Sequence, residues 1–267
     1  MKYIIDNDLH IHSKISSRSN DPEQTNERIL RYAEENGLRT ICLTDHFWDD
    51  SVVGASNWYK PQNYEHIAAA KPLPQAVNVQ FLFGCETELD KNLTLGISKK
   101  NIDLFDFVII PTTHLHMMGF TLTPEEDSVE KRAELWVKRF EAVLNMQLPF
   151  HKIGIAHLST AGIEIKSREN QLKILNMLKT EDMERLFTKA ANLGCGIELN
   201  SFDMDFADEE TDSILRMYRI AKECGCKFYC GSDAHHPDEL DRAKAIFERA
   251  IDLLELTEED KFKIACI

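Results

Sequence analysis

Histidines and acidic residues recur in this chain at the points where apolar segments end. His10 and His12 close the first such segment, and on a strand two residues that are two positions apart point to the same side. Imidazole and carboxylate groups are ligands that suit zinc, manganese or iron. Further residues of these types follow later apolar segments: Asp45, His46, Glu86, Glu88, His114, His116, His157, Asp233 and His235. The pattern therefore predicts a site for divalent metal ions, because buried carboxylates and imidazoles without a cation would be costly.

The apolar segments alternate with amphipathic helical patterns, and this alternation implies a parallel sheet. We predict an α/β fold in which the strands close into a distorted, TIM-like (β/α)7 barrel, with an open doubly wound sheet as the alternative. The absence of a repeat or of a linker-like stretch indicates one domain over residues 1–267. Seven strands are predicted, at residues 3–11, 40–44, 79–85, 105–111, 152–156, 194–199 and 227–230. Longer helices are predicted at residues 22–36, 124–146, 167–178, 181–193, 208–224 and 237–254.

A parallel barrel would bring all these strand ends to one face, where the active sites of such barrels are built. A single histidine at a strand end is more often an ordinary polar residue than a metal ligand. It is the convergence of several such positions on one face that favours metal binding. Glu88 and His116 stay ambiguous, since each has a competitor two residues earlier on the same side.

Composition narrows the classes of function. The net charge of -14 disfavours a broad nucleic-acid-binding surface, which needs cationic side chains. Seven cysteines, mostly inside apolar segments, indicate reduced thiols and a cytoplasmic protein. We recognise neither a signal peptide nor an apolar stretch long enough to span a membrane. The oligomeric state is not indicated.

The ordered set of motifs closely resembles the PHP family, the polymerase and histidinol phosphatase superfamily, over essentially the whole chain. The motifs are His10-x-His12, Thr44-Asp45-His46, Gly84-x-Glu86, Thr113-His114, His157 and Ser232-Asp233-Ala234-His235. The resemblance implies a seven-stranded distorted barrel that holds two or three divalent ions and hydrolyses phosphoesters. It implies a first ion on His10, His12, Glu86 and Asp233. Glu86 would bridge to a second ion, on His114 and His157, and His46 and His235 would hold a third.

One position departs from the family pattern. Many members have a further histidine where this chain has Arg18, which puts the third ion in doubt. A guanidinium suits bidentate phosphate recognition, so Arg18 is a candidate contact to the substrate phosphate. In the mechanism that the resemblance implies, a metal-activated hydroxide attacks phosphorus. Asp233 or a metal-bound water would handle proton transfer, and His235 would instead protonate the leaving oxygen if no third ion is present.

The leading hypothesis is thus a metal-dependent phosphatase that acts on a phosphate monoester of a small molecule, with histidinol phosphate as one candidate. The alternatives are a nuclease or phosphodiesterase, a phosphotyrosine-protein phosphatase and a metal-binding regulatory module without activity. The loop with Trp58 and Tyr59 could either cover a substrate or pack as an ordinary lid on the barrel rim.

Overall fold

The computed structural model describes residues 1–19, 21–159 and 167–264. Every pair of neighbouring strands is parallel, and the strands form a three-stranded sheet, β1-β2-β4, and a six-stranded sheet, β3-β5-β6-β7-β8-β9. The strands are β1 (Asn7–Ile11), β2 (Thr40–Leu43), β3 (His46–Phe47), β4 (Gln80–Phe83), β5 (Cys85–Thr87), β6 (Val108–Pro111), β7 (Ile153–Ala156), β8 (Gly196–Asn200) and β9 (Lys227–Gly231).

Helices alternate with these strands, so the predicted α/β class with parallel sheets is confirmed. They are α1 (Asn26–Asn36), α2 (Tyr64–Ala68), α3 (Val129–Leu144), α4 (Arg168–Met177), α5 (Thr180–Leu193), α6 (Ser201–Met204), α7 (Thr211–Glu223) and α8 (Pro237–Leu253). Among the described residues, no helix is both long and apolar enough to cross a bilayer.

Two helices begin later than the sequence predicted. The side chain of Thr25, rather than Asp21, caps α1 by accepting a hydrogen bond from the Arg28 N–H. The segment after Thr123 forms only a short 3-10 turn, and Ser128 then caps α3. In both cases a second capping residue lies closer to the continuous apolar face of the helix, and that residue sets its start.

The structure shows nine strands among the described residues where seven were predicted, because a further short strand follows the second and the third predicted strand after a break. Thr44 and Asp45 separate β2 from β3, and Gly84 separates β4 from β5. At Gly84 the neighbouring chain comes so close that a Cβ atom would lie 2.4 Å from the Phe107 carbonyl oxygen. After these breaks, His46 pairs directly with Glu86 across β3 and β5.

The two sheets also meet where the first strand, β1, lies beside the last strand, β9. Just beyond them, the N–H of Asp233 donates to the His10 carbonyl oxygen at 2.6 Å, and the N–H of His12 donates to the Ala234 carbonyl oxygen at 3.1 Å. One apolar cluster contains residues from both sheets, including Leu9 of β1 and Ile109 of β6. Closure of the sheets into a single barrel stays a prediction. The consequence for the site is that the ends of β1 and β9 are held side by side.

The described cysteines are all free thiols, and most of them are buried. Cys266 lies outside the described residues.

Candidate metal centre

The eight predicted metal-binding side chains lie together at the carboxyl ends of the strands. Each is at most 8% exposed. Six of them line a pocket of about 870 Å³: His46, Glu86, His114, His157, Asp233 and His235. His10 and His12 are fully buried beside these residues. The convergence predicted from the strand ends is thus present in the fold.

Glu86 is at the centre of this group. Its Oε1 lies 3.4 Å from His157 Nε2 and 3.8 Å from His114 Nε2. Its Oε2 lies 2.7 Å from His46 Nδ1 and 3.5 Å from His12 Nε2. The two oxygens of one carboxylate therefore face two different sets of imidazoles, which is the arrangement that a bridging residue needs.

Asp233 approaches the same imidazoles from the other side. Its Oδ1 lies 3.1 Å from His12 Nε2 and 3.4 Å from His10 Nε2, and its Oδ2 lies 3.4 Å from His157 Nε2. The Nε2 atoms of His10 and His12 are only 3.2 Å apart. Two imidazole nitrogens and two carboxylates thus point at one small volume.

Several of these buried atoms have no hydrogen-bond partner among the described residues. They include both oxygens of Glu86, both ring nitrogens of His46 and Nε2 of His235. The 2.7 Å approach of His46 to Glu86 does not have the alignment of a hydrogen bond. A buried polar group without a partner costs about 1–3 kcal/mol. A divalent cation would satisfy these donor atoms, so the side chains fit a metal.

The atoms sort into compact groups. In each group, one ligand atom per residue lies within 4.8 Å of the others. Three groups correspond to the predicted ions: His10, His12 and Glu86; Glu86, His114 and His157; and His12, His46 and His235. In the third group, His12 supplies the additional imidazole. Many family members have a further histidine for this purpose at the position of Arg18. A fourth group joins His10 and His157 with Glu198.

Carboxylates outside the predicted set hold two of the imidazoles. Glu198 Oε1 lies 2.6 Å from His10 Nδ1, and Glu88 Oε2 lies 2.8 Å from His114 Nδ1. In both rings the second nitrogen, Nε2, points toward Glu86. A carboxylate on one nitrogen of a metal-binding histidine fixes the ring and its tautomer. Glu198 was not among the residues predicted from the sequence, and Glu88 was ambiguous.

Arg139 of α3 in turn holds Glu88. This guanidinium is 1% exposed and donates to Glu88 Oε1 at 3.4 Å and to the carbonyl oxygens of Thr112 and Leu89, each at 2.7 Å. Asp45 accepts hydrogen bonds from the N–H and hydroxyl of Ser13, and its oxygen is 3.8 Å from His12 Nδ1. It therefore fixes the backbone after His12 rather than the ring.

The close packing of the imidazoles and carboxylates in the site determines their protonation states. Burial alone would raise the pKa of Glu86, but the imidazoles of His46 and His10 hold it well below its usual range. Burial lowers the pKa of His114 to about 3 and that of His235 to about 2, with help from neighbouring histidines. These groups are thus in the charge states that bind metal, carboxylate and neutral imidazole.

His157 behaves differently, as do His10 and His12, whose pKa values neighbouring carboxylates also raise against the effect of burial. For His157, burial opposes protonation, yet Asp233 and Glu86 raise its pKa to about 9. In the absence of a cation, a proton on this ring balances the carboxylates.

The family model of the PHP domain matches residues 8–201, which is more than half of the chain. The chain belongs to the PHP domain family. Two curated relatives, from Thermoanaerobacter sp. (strain X514) and Thermoanaerobacter pseudethanolicus (strain ATCC 33223 / 39E), are each named a probable phosphatase. Each is 26% identical over 260 residues, which cover 95% of this chain and 86% of the relative.

A solved structure shares the fold of this PHP domain. It is the histidinol phosphate phosphatase of Lactococcus lactis subsp. lactis Il1403, in complex with zinc, L-histidinol and phosphate. The TM-score is 0.57 at 18% sequence identity, and the match covers 92% of this chain and 93% of the other. The family match ends at residue 201, so it includes the predicted ligands from His10 to His157 but not Asp233 or His235.

The rim of the PHP site holds Arg18, the position that departs from the family pattern. Arg18 is exposed and lines the pocket, and it forms no ion pair with any described residue. His116 also lines the pocket but belongs to none of the compact groups. The guanidinium is thus free to meet an anion that enters the pocket.

Proposed function

We propose that this PHP domain is a metal-dependent phosphatase that hydrolyses a phosphate monoester of a small molecule. The observation that carries the proposal is the convergence of buried imidazoles and carboxylates, several without hydrogen-bond partners, on a pocket whose rim presents Arg18. The phosphatase names of the two curated relatives support this activity. The solved relative, bound to L-histidinol and phosphate, makes histidinol phosphate a candidate substrate.

The compact groups assign residues to two or three divalent ions. His10, His12, Glu86 and Asp233 would hold one ion. Glu86, His114 and His157 would hold another, and His46 and His235 would hold a third together with His12. We expect zinc, manganese or iron because the donors are imidazole nitrogens and carboxylate oxygens. When bound, such ions neutralise the phosphate dianion and lower the pKa of water.

The surrounding residues prepare this chemistry. His235 Nδ1 lies 2.8 Å from the Asp233 carbonyl oxygen, which can only accept a hydrogen bond, so Nδ1 carries the proton. Nε2 of His235 then has a free lone pair that points into the site. We therefore assign His235 to metal binding rather than to protonation of the leaving oxygen. Arg18 would bind phosphate oxygens from the rim.

The test is to purify the protein, quantify its bound metals and assay the same sample. The substrates are p-nitrophenyl phosphate, bis-p-nitrophenyl phosphate and histidinol phosphate. Two or three ions per chain, with monoester turnover that is lost on chelation, would support the proposal. Turnover of the diester alone would favour a phosphodiesterase. Bound metal without turnover of any ester would favour the regulatory module.

Arg18 offers a first prediction about substrate binding. We expect Arg18→Ala to raise KM for the monoester by about 10–100-fold, because a hydrogen bond to a charged group contributes about 1.5–3 kcal/mol. Steady-state kinetics would measure this, and kcat should fall less than KM rises. Lys14→Ala is the matched control, since Lys14 is an exposed cation of the same loop that does not line the pocket. An unchanged KM for Arg18→Ala would show that Arg18 does not contact the phosphate.

Metal affinity should depend on pH. The pKa of His157 is raised to about 9, so below this pH its proton must leave before the ring can bind an ion. We expect the apparent affinity for the ion to rise with pH up to about 9, by about tenfold per pH unit for each proton displaced. Calorimetric titration at pH 7.5 in two buffers of different protonation enthalpy would count the protons released. His157→Gln should release one proton fewer, and equal counts would contradict this role.

A further inference from the structure

The pocket lining contains two chemically different sets of residues. One set, here called the polar wall, carries the imidazoles and carboxylates described above. The other set, here called the apolar wall, consists of Trp58, Tyr59, Met117, Met118, Phe120 and Phe202. Trp58, Met118 and Phe202 are 38%, 50% and 45% exposed, although all three are large and apolar. The proposed function uses only the polar wall, so the apolar wall has no assigned role.

Part of the apolar wall is held rigidly. The ring of Trp58 meets that of Tyr59 edge-on at 4.7 Å between centroids, and Tyr59 packs on Phe120 at 5.5 Å and on Trp48 at 5.9 Å. Tyr59 and Trp48 are each 1% exposed, and Trp48 Nε1 donates to the Val52 carbonyl oxygen at 2.8 Å. Because an aromatic cluster of this kind has a defined geometry, Trp58 presents a fixed face to the pocket.

The apolar wall begins next to the polar wall. The ring centroid of Trp58 is 4.9 Å from that of His46. The leaving group of an ester whose phosphate lies beside His46 can therefore reach the ring of Trp58. A polyol packed on the indole would lose hydrogen bonds to water that the ring cannot replace, whereas an apolar group would remove apolar surface from water on both sides.

We propose that the leaving alcohol of the substrate carries an aromatic ring or an apolar group of similar size, and that Trp58 and Phe202 select for it. This inference rests on the proposed phosphatase function and narrows its substrate class. Polyol phosphates such as sugar phosphates are then poor substrates.

The experiment compares three phosphate esters of primary alcohols: 2-phenylethyl phosphate, ethyl phosphate and glycerol 3-phosphate. Their leaving oxygens are similarly basic, so differences in kcat/KM report contacts with the rest of the alcohol. The assay measures release of inorganic phosphate by the metal-loaded protein. We expect kcat/KM for 2-phenylethyl phosphate to exceed that for either other ester by about tenfold or more.

The variants are Trp58→Ala and Phe202→Ser, and the readout is the ratio of kcat/KM for 2-phenylethyl phosphate to that for ethyl phosphate. A partly inactive sample does not change this ratio, so loss of folded protein cannot mimic the effect. We expect each variant to lower it severalfold. Leu193→Ser and Leu253→Ser are matched controls, since these side chains are 37% and 39% exposed and do not line the pocket. Both should keep the wild-type ratio.

The outcomes separate the two proposals. Equal kcat/KM for all three esters, or a preference for glycerol 3-phosphate, would overturn the inference and leave the phosphatase function intact. A wild-type preference that survives in both pocket variants would overturn the role of Trp58 and Phe202. No turnover of any monoester by metal-loaded protein would overturn the phosphatase function itself.

Discussion

Replacement of Glu86 by glutamine is expected to lower kcat/KM for the monoester by at least about 10²–10³-fold, the loss typical of removing one group that stabilises developing charge. Glu86 is the carboxylate whose two oxygens face different imidazole sets, with His157 and His114 on one side and His46 and His12 on the other. Glutamine keeps the volume but has no charge and only one oxygen. It therefore cannot bridge two cations.

The same variant should also lose metal-dependent stability. A ligand that binds only the folded protein stabilises it by about 2.7 kcal/mol at a hundred times its Kd. We expect the wild-type Tm to rise when metal is added back after chelation, and the Glu86→Gln variant to show little rise. Elemental analysis should find fewer ions per chain in the variant.

The control for Glu86→Gln is Glu65→Gln, the same change of charge on an exposed face of α2. It should keep the activity, the metal content and the rise in Tm of the wild type. Wild-type metal content and activity in Glu86→Gln would show that Glu86 is not a shared ligand. Full metal content without activity would instead place its role in the reaction rather than in metal binding.

The position of the site could be predicted from the sequence because parallel strands end on one edge. His46 and Glu86 follow neighbouring apolar segments, so their proximity needed only the strand order, and the fold pairs them in register. Arg18 could be identified only by its departure from the family motif, and the structure places it on the pocket rim.

Glu198 was missed because its role depends on a contact between residues 188 positions apart in the chain. It lies within a predicted strand, and no local pattern shows that this part of β8 lies beside His10. One signal was available: a carboxylate inside an otherwise apolar strand is costly unless it has a partner. Arg139 was missed for the same reason. The sequence of α3 has the pattern of an ordinary amphipathic helix, and nothing in it shows that the Arg139 guanidinium contacts Glu88.

The predicted start of α1 was wrong for a local reason, which is that the chain offers two candidate capping residues. Asp21 and Pro22 resemble a helix start, but the Asp21 carboxylate accepts a hydrogen bond from the N–H of Glu23 in a turn. The hydroxyl of Thr25 then caps the helix. The two candidate caps lie four positions apart, and Thr25 is the one that directly precedes the first helical residue.

Asp233→Asn is expected to lower turnover strongly while it leaves the backbone at this position undisturbed. Asp233 has a φ of 53°, a left-handed backbone that asparagine and aspartate tolerate better than most residues. Burial alone would raise its pKa, but His10 and His157 hold it well below the usual range. The side chain is therefore held as a carboxylate, which is the form that a metal ligand needs and which has no proton to donate. The amide removes that charge while it preserves shape and backbone.

Metal content distinguishes this variant from Glu86→Gln. Asp233 Oδ1 faces His10 and His12, whereas the group of Glu86, His114 and His157 does not require it. We expect Asp233→Asn to bind one ion fewer than the wild type and to lose about 10²–10³-fold in kcat/KM. Wild-type metal content together with wild-type activity would contradict this role.

Comparison with Asp233→Ala separates the effect of backbone strain on stability from the effect of the lost charge on activity. Alanine lacks the short polar side chain that eases the left-handed conformation, which costs about 1–2 kcal/mol, so its Tm should fall by several degrees below that of Asp233→Asn. Glu255→Asn is the matched control, because Glu255 has a φ of 50° on an exposed turn that does not line the pocket. It should leave activity unchanged. Equal loss of activity in both Asp233 variants, with unequal Tm, would assign the catalytic loss to the missing charge.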